Sequence, residues 1–107
     1  MPSSLVLQHG DLTIDMVHYR VLLGRSPVIL TYREYALLVY LASRAGHPVG
    51  KRRLLEEGLG RHDQGGLRMV DEHIRTLKTK LERDGRLFIL EDRDAGGYRF
   101  AAQPEAA

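Results

Sequence analysis

Cysteine and tryptophan are absent from this 107-residue chain, and proline occurs only four times. Without cysteine there are no disulfides, thiolate zinc sites or cysteine nucleophiles, which agrees with a reducing cytoplasm. Long apolar runs are missing too. The longest, YALLVYLA (Tyr35–Ala42), is far too short to span a bilayer. The start MPSSLVLQHG lacks the basic residues and apolar stretch of a signal peptide. A cytoplasmic protein with no membrane partner is therefore expected. Charge of one sign is scarce: 16 Lys and Arg against 14 Asp and Glu leave +2. That balance permits a nucleic-acid partner without demanding one, so the placement of charge has to decide. No GxSxG, Walker A or HExxH motif is present, so neither an enzyme nor a cofactor is expected.

What is present suffices for one domain. Short apolar alternations run from Leu5 to Leu30, interrupted by His9-Gly10-Asp11, Val17-His18 and Gly24-Arg25-Ser26-Pro27. This period of two, broken by turn formers, predicts four short antiparallel strands. At Thr31 the pattern changes. TYRE (Thr31–Glu34) is a capping box, and YALLVYLA behind it is apolar on nearly every side, so a central buried helix follows. Arg44, Gly46 and Pro48 end it. HPVG (His47–Gly50) is a candidate short strand, and KRRLLEEGL (Lys51–Leu59) a second helix that Gly50 caps poorly. Gly60–Gly66 is a loop, and a third helix runs from Leu67 to Asp84. Two strands, Arg86–Glu91 and Gly97–Ala102, close the chain around DRDAGG, with Gly96 and Gly97 expected at positive φ. The order is that of a winged helix-turn-helix: an α+β fold with an N-terminal four-stranded antiparallel sheet, three helices and a C-terminal β-hairpin wing.

The third helix has two distinct faces. Leu67, Val70, Ile74, Leu77 and Leu81 make one apolar stripe. Opposite lie Arg68, Glu72, Arg75, Thr76, Thr79 and Arg83, with His73 and Lys78 nearer the flanks. Arginine can bond guanine O6 and N7, threonine can meet a thymine methyl or a phosphate, and a carboxylate can accept from cytosine N4. Helix-stabilising pairs between Glu72 and Arg68, Arg75 or Thr76 explain the same face without DNA. Lys51, Arg52 and Arg53 open the second helix, where cations oppose the dipole; phosphate contact is one reason for such a placement, and solvated surface charge is the other. His62, Asp63 and His73 lack metal-ligand spacing, so no metal is expected. In the last strand Tyr98 and Phe100 are core candidates, and Arg99 a solvent or phosphate contact.

Four stretches together resemble the winged-helix effector domain of OmpR/PhoB-type bacterial response regulators. They are LTYREYALLVYL (Leu30–Leu41), GHPVGKRRLL (Gly46–Leu55), RMVDEHIRTLKTKL (Arg68–Leu81) and GGYRF (Gly96–Phe100). The resemblance covers about residues 5–101 and implies that the third helix lies in the major groove while the wing reaches the minor groove. It implies DNA-facing or phosphate-contacting roles for Arg68, Glu72, His73, Arg75, Thr76, Lys78 and Thr79, joined by Arg83. Lys51, Arg52 and Arg53 would contact the DNA backbone, and Arg93 and Arg99 the wing's groove. The loop around Arg61, His62, Asp63 and Gln64 would correspond to a segment that touches RNA polymerase in some relatives. Three departures stand out. Leu59 occupies the place of a usual Trp, Gly50 that of a hydroxyl cap, and Asp94 that of a usual wing Arg, with Arg93 one residue earlier.

The resulting expectation is a DNA-binding domain over residues 1–103, a disordered tail over 104–107, and no receiver domain. Its partners would be double-stranded DNA, as direct repeats, an upstream phosphorylated receiver and RNA polymerase. A winged-helix protein-interaction module without DNA binding and a metal-dependent nuclease are the rivals. The first would ignore DNA at every salt concentration, and the second would cut it only with added metal.

Overall fold

The computed structural model describes residues 5–60 and 65–101. Four antiparallel strands form the N-terminal sheet in chain order: β1 (Val6–His9), β2 (Leu12–Asp15), β3 (Arg20–Leu23) and β4 (Ser26–Pro27). Three helices follow. They are α1 (Tyr32–Ala42), α2 (Lys51–Arg53), which runs on as a π-helical segment (Leu54–Leu59), and α3 (Leu67–Leu81). A second sheet, ordered β5-β7-β6, joins β5 (Val49–Gly50) to the hairpin of β6 (Ile89–Asp92) and β7 (Gly97–Phe100). This is a winged helix-turn-helix, as the element order predicts.

The alternation in β2 works as expected: Leu12 and Ile14 are fully buried, and Thr13 and Asp15 are not. Asp15 Oδ1 then accepts the amides of Val17 and His18 at 3.0 and 3.1 Å, which turns the chain towards β3. β4 is shorter than the apolar spacing to Leu30 implies, because the chain leaves the sheet after Pro27 and extends to the cap of α1.

The capping box is formed in both directions. Thr31 Oγ1 accepts the Glu34 amide at 3.1 Å, and Glu34 Oε1 accepts the Thr31 amide at 2.9 Å. At the other end Arg44 donates to the Tyr40 carbonyl at 3.1 Å and lies 3.7 Å from the centre of its ring, and Gly46 takes the left-handed conformation (φ 87°). α1 buries Leu37, Leu38 and Leu41 completely, and α3 packs Val70, Ile74, Leu77 and Leu81 against this core.

Several details differ from expectation. The second helix is not uniformly α-helical but widens to π geometry after Arg53. Leu67 is not part of the buried stripe: it opens α3 and is 40% exposed. α3 ends at Leu81 rather than Asp84, because the Glu82 backbone leaves helical geometry and its carboxylate accepts the amides of Phe88 and Ile89 at 2.7 and 2.9 Å. This clasp also delays β6, leaving Arg86, Leu87 and Phe88 outside it. In the wing only Gly96 has positive φ (65°). Gly97 serves a different need. A Cβ there would sit 1.9 Å from the Val49 carbonyl oxygen, so glycine lets β7 approach β5.

Candidate nucleic-acid interface

α3 is held on both flanks by carboxylates, which fixes what its outer face can present. On one flank stands Glu34, the capping residue of α1 and 2% exposed. Its Oε2 accepts the Thr76 hydroxyl at 2.5 Å, and its Oε1 lies 2.7 Å from Lys80 Nζ. Burial pushes this carboxyl up, but the bonds from Lys80, Thr76 and the Thr31 amide outweigh it and hold the group below the usual carboxylate range.

On the other flank Asp71 joins three elements. Tyr98 of β7 donates to its Oδ1 at 2.6 Å, and Lys51 of α2 donates to its Oδ2 at 3.0 Å. Burial raises the Asp71 pKa, and the Tyr98 hydroxyl and Lys51 more than reverse this. Burial and the neighbouring carboxylate both push the Tyr98 phenol up. Sequence reasoning placed neither Glu34 nor Asp71 in the interface machinery. The available signal was a carboxylate bordering a buried stripe, where a charge needs a partner.

These clamps redistribute the candidate residues. Arg68, Glu72, Arg75 and Thr79 are exposed along one side of α3. Thr79 donates its hydroxyl to the Arg75 carbonyl at 3.0 Å, leaving its methyl as the outward group. Thr76 has an exposed edge, but its hydroxyl is committed to Glu34 and cannot also serve a phosphate. Lys78 turns inward to the Ile89 carbonyl and lies 3.3 Å from Glu82. His73 is half-buried, and its Nε2 is buried without a hydrogen-bond partner among the described residues. Thr76, Lys78 and His73 therefore do not present the polar groups expected of DNA-facing residues. Arg83 is exposed but lies beyond the end of α3.

The cations of the second helix have local explanations. Lys51 is engaged by Asp71. Arg52 and Arg53 pair with Glu56 and Glu57 one turn on, at 3.8 and 3.6 Å, and Arg53 also donates to the Tyr40 hydroxyl at 3.1 Å. In the wing Arg99 Nε sits 3.7 Å from Asp92. Arg93 and Asp94 are both exposed at the hairpin turn.

Among the described residues, Arg68, Arg75, Arg83 and Arg93 have no carboxylate within ion-pair distance, even though Glu72 stands between Arg68 and Arg75. The helix-stabilising pairs that would explain this face as ordinary surface are not formed. Arg61, His62, Asp63 and Gln64 lie outside the described residues. No group of three His, Cys, Asp or Glu that could hold a metal occurs among those described. No described helix is long and apolar enough to cross a membrane.

Residues 25–100 match the family described as transcriptional regulatory protein, C terminal. The transcriptional regulatory protein SrrA of Staphylococcus aureus is 38% identical over 78 residues, which are 73% of this chain and 32% of SrrA. The chain spans about a third of the length of the curated relatives it matches. The Klebsiella pneumoniae RstA DNA-binding domain, solved in complex with the RstA box, superposes with a TM-score of 0.78 at 34% identity, covering 92% of this chain and 98% of that one. DrrB, an OmpR/PhoB homologue of Thermotoga maritima, gives a TM-score of 0.79 at 28% identity, covering 91% of this chain and 44% of DrrB.

Proposed function

The chain belongs to the OmpR/PhoB-type family of transcriptional regulatory C-terminal domains, and from that premise we propose that it binds double-stranded DNA sequence-specifically to regulate transcription. The observation that carries this reading is the outer face of α3, where exposed Arg68 and Arg75 flank Glu72 with no carboxylate among the described residues within ion-pair distance of either guanidinium. Unpaired arginines on a helix of a helix-turn-helix suit the major groove, whose guanine edges take bidentate donors. Arg75, Glu72 and the Thr79 methyl are the base readers in this proposal. Arg68 and Arg83 contact phosphates, and Arg93 carries the wing's contact because Asp94 would repel the minor groove. Lys51 is a structural cation. No bond is made or broken in this function.

Residues 1–103 are proposed as the functional domain; the expected tail, 104–107, lies outside the described residues. An upstream receiver, binding to direct repeats and a polymerase contact through Gly60–Gly66 complete the proposed setting.

Selection from a random duplex library tests the reading. The chain should enrich one sequence, and its affinity should fall steeply between roughly 50 and 200 mM salt, because phosphate neutralisation releases counterions. Failure to enrich any duplex at low salt would refute it. A repeat in the winning sequences would report the arrangement of subunits.

A further inference from the structure

A groove of about 890 Å3 opens between the β3–β4 hairpin and the start of α1. Aliphatic side chains and three tyrosines, Tyr19, Tyr32 and Tyr35, dominate its lining, which includes Arg20 and Arg25 but no carboxylate. Tyr19, Ile29 and Tyr32 stand in water at 75%, 79% and 78% exposure. Single exposed apolar side chains are ordinary, but three around one apolar concavity mark a binding surface.

Backbone strain at the same place is an independent sign. Tyr19 is the one described non-glycine residue with positive φ (55°). A bulky side chain rarely adopts that conformation, and such strain gathers where a side chain has a task. The Tyr19 ring meets Tyr35 edge-on at 5.9 Å and otherwise faces outward.

The charge is also one-sided. Arg25 has no ion-pair partner among the described residues, and the ion pair of Arg20, at 3.5 Å, is with Asp15, outside the lining. The groove uses a different face of α1 from the DNA-proposed side: Glu34 points to α3, whereas Tyr32 and Tyr35 line the groove.

We propose that this groove docks an acidic amphipathic segment of a partner protein. Apolar side chains of the segment enter the concavity beside Tyr19, Ile29 and Tyr32, and its carboxylates meet Arg25 and Arg20. Burial of the anchors supplies the affinity, and the arginines select the sign of the partner. Two arginines among twelve lining residues are too few to track a phosphate backbone, and apart from Thr31 the rest of the lining is aliphatic or aromatic. The inference does not depend on the DNA reading.

The probe is a fluorescein-labelled helical peptide with leucines at i, i+3, i+4 and i+7 spacing and aspartate or glutamate elsewhere. It is titrated against the 107-residue chain by anisotropy, with amide chemical-shift mapping. A control peptide carries lysine in place of every acid. The acidic peptide should bind in the micromolar range, shift amides in Tyr19–Arg25 and Ile29–Tyr35, and outcompete the control. Ile29→Ser should weaken it roughly tenfold or more, since a buried aliphatic anchor is worth that much. Ile29 is exposed in the free chain, so this variant should keep its melting temperature. Arg25→Glu should reverse the preference between the two peptides. Absence of binding, equal affinity for both peptides, or shifts confined to α3 would overturn the proposal. Concentration-dependent self-association abolished by Ile29→Ser would also overturn it, by making a second copy the occupant.

Discussion

Arg75 and Leu77 are two residues apart on α3 and face opposite ways, one to solvent and one to the core. Arg75 is exposed and has no ion-pair partner among the described residues, so its removal should hardly change folding. In the proposed complex, Arg75→Ala should cost about 1–3 kcal/mol on the selected duplex and far less on random DNA, the signature of a base contact. Equal losses on both duplexes would reduce it to a phosphate clamp. Leu77 is fully buried, so Leu77→Ala should leave a cavity and cost about 2–5 kcal/mol of stability. An unchanged denaturant midpoint would mean that the site collapses without loss.

At the scale of elements, the Lys51–Asp71–Tyr98 contacts tie α2, α3 and the wing together, and Gly97 lets β7 lie close against β5. Helix and wing are therefore set at a defined spacing before any ligand arrives. Tyr98→Phe removes one charge-assisted hydrogen bond and should cost about 1–2 kcal/mol, at the low end because the site is only partly buried. The more telling readout is amide exchange. β7 and the Asp92–Gly97 turn should exchange faster in this variant while the centre of α3 keeps its protection. Uniform acceleration across the chain would show general destabilisation instead of a released wing.

For the whole molecule, acid should be the weak direction. Glu34 and Asp71 have depressed pKa values, and hydrogen bonds from His18 hold Asp15 down at about 2. A carboxylate with a lower pKa folded than unfolded contributes stability that is complete above its unfolded value. That stability is lost as pH falls through the folded value. Melting temperature should therefore drop progressively between about pH 5 and pH 2. Glu34→Gln has no carboxylate to protonate, so its melting curve should start lower at neutral pH and fall less on acidification. Parallel curves for the two proteins would show that Glu34 adds nothing to the linkage.

The sequence by itself determined the order of elements, the capping box at Thr31 and Glu34, the buried stripe from Val70 to Leu81 and the polar face opposite it. These are local properties: a period of two or 3.6 residues, a hydroxyl three positions before a carboxylate, and a glycine where the chain must turn. Only the tertiary structure decided which polar residues remain available. Glu34 reaches across 42 and 46 positions to engage Thr76 and Lys80, and Asp71 recruits Lys51 and Tyr98 from 20 and 27 positions away. Helical spacing cannot show such partners, because the distance that matters is set by packing between elements. The exposed face of α3 was therefore legible in outline, and its narrowing to Arg68, Glu72, Arg75 and Thr79 came from what the flanking carboxylates had already taken.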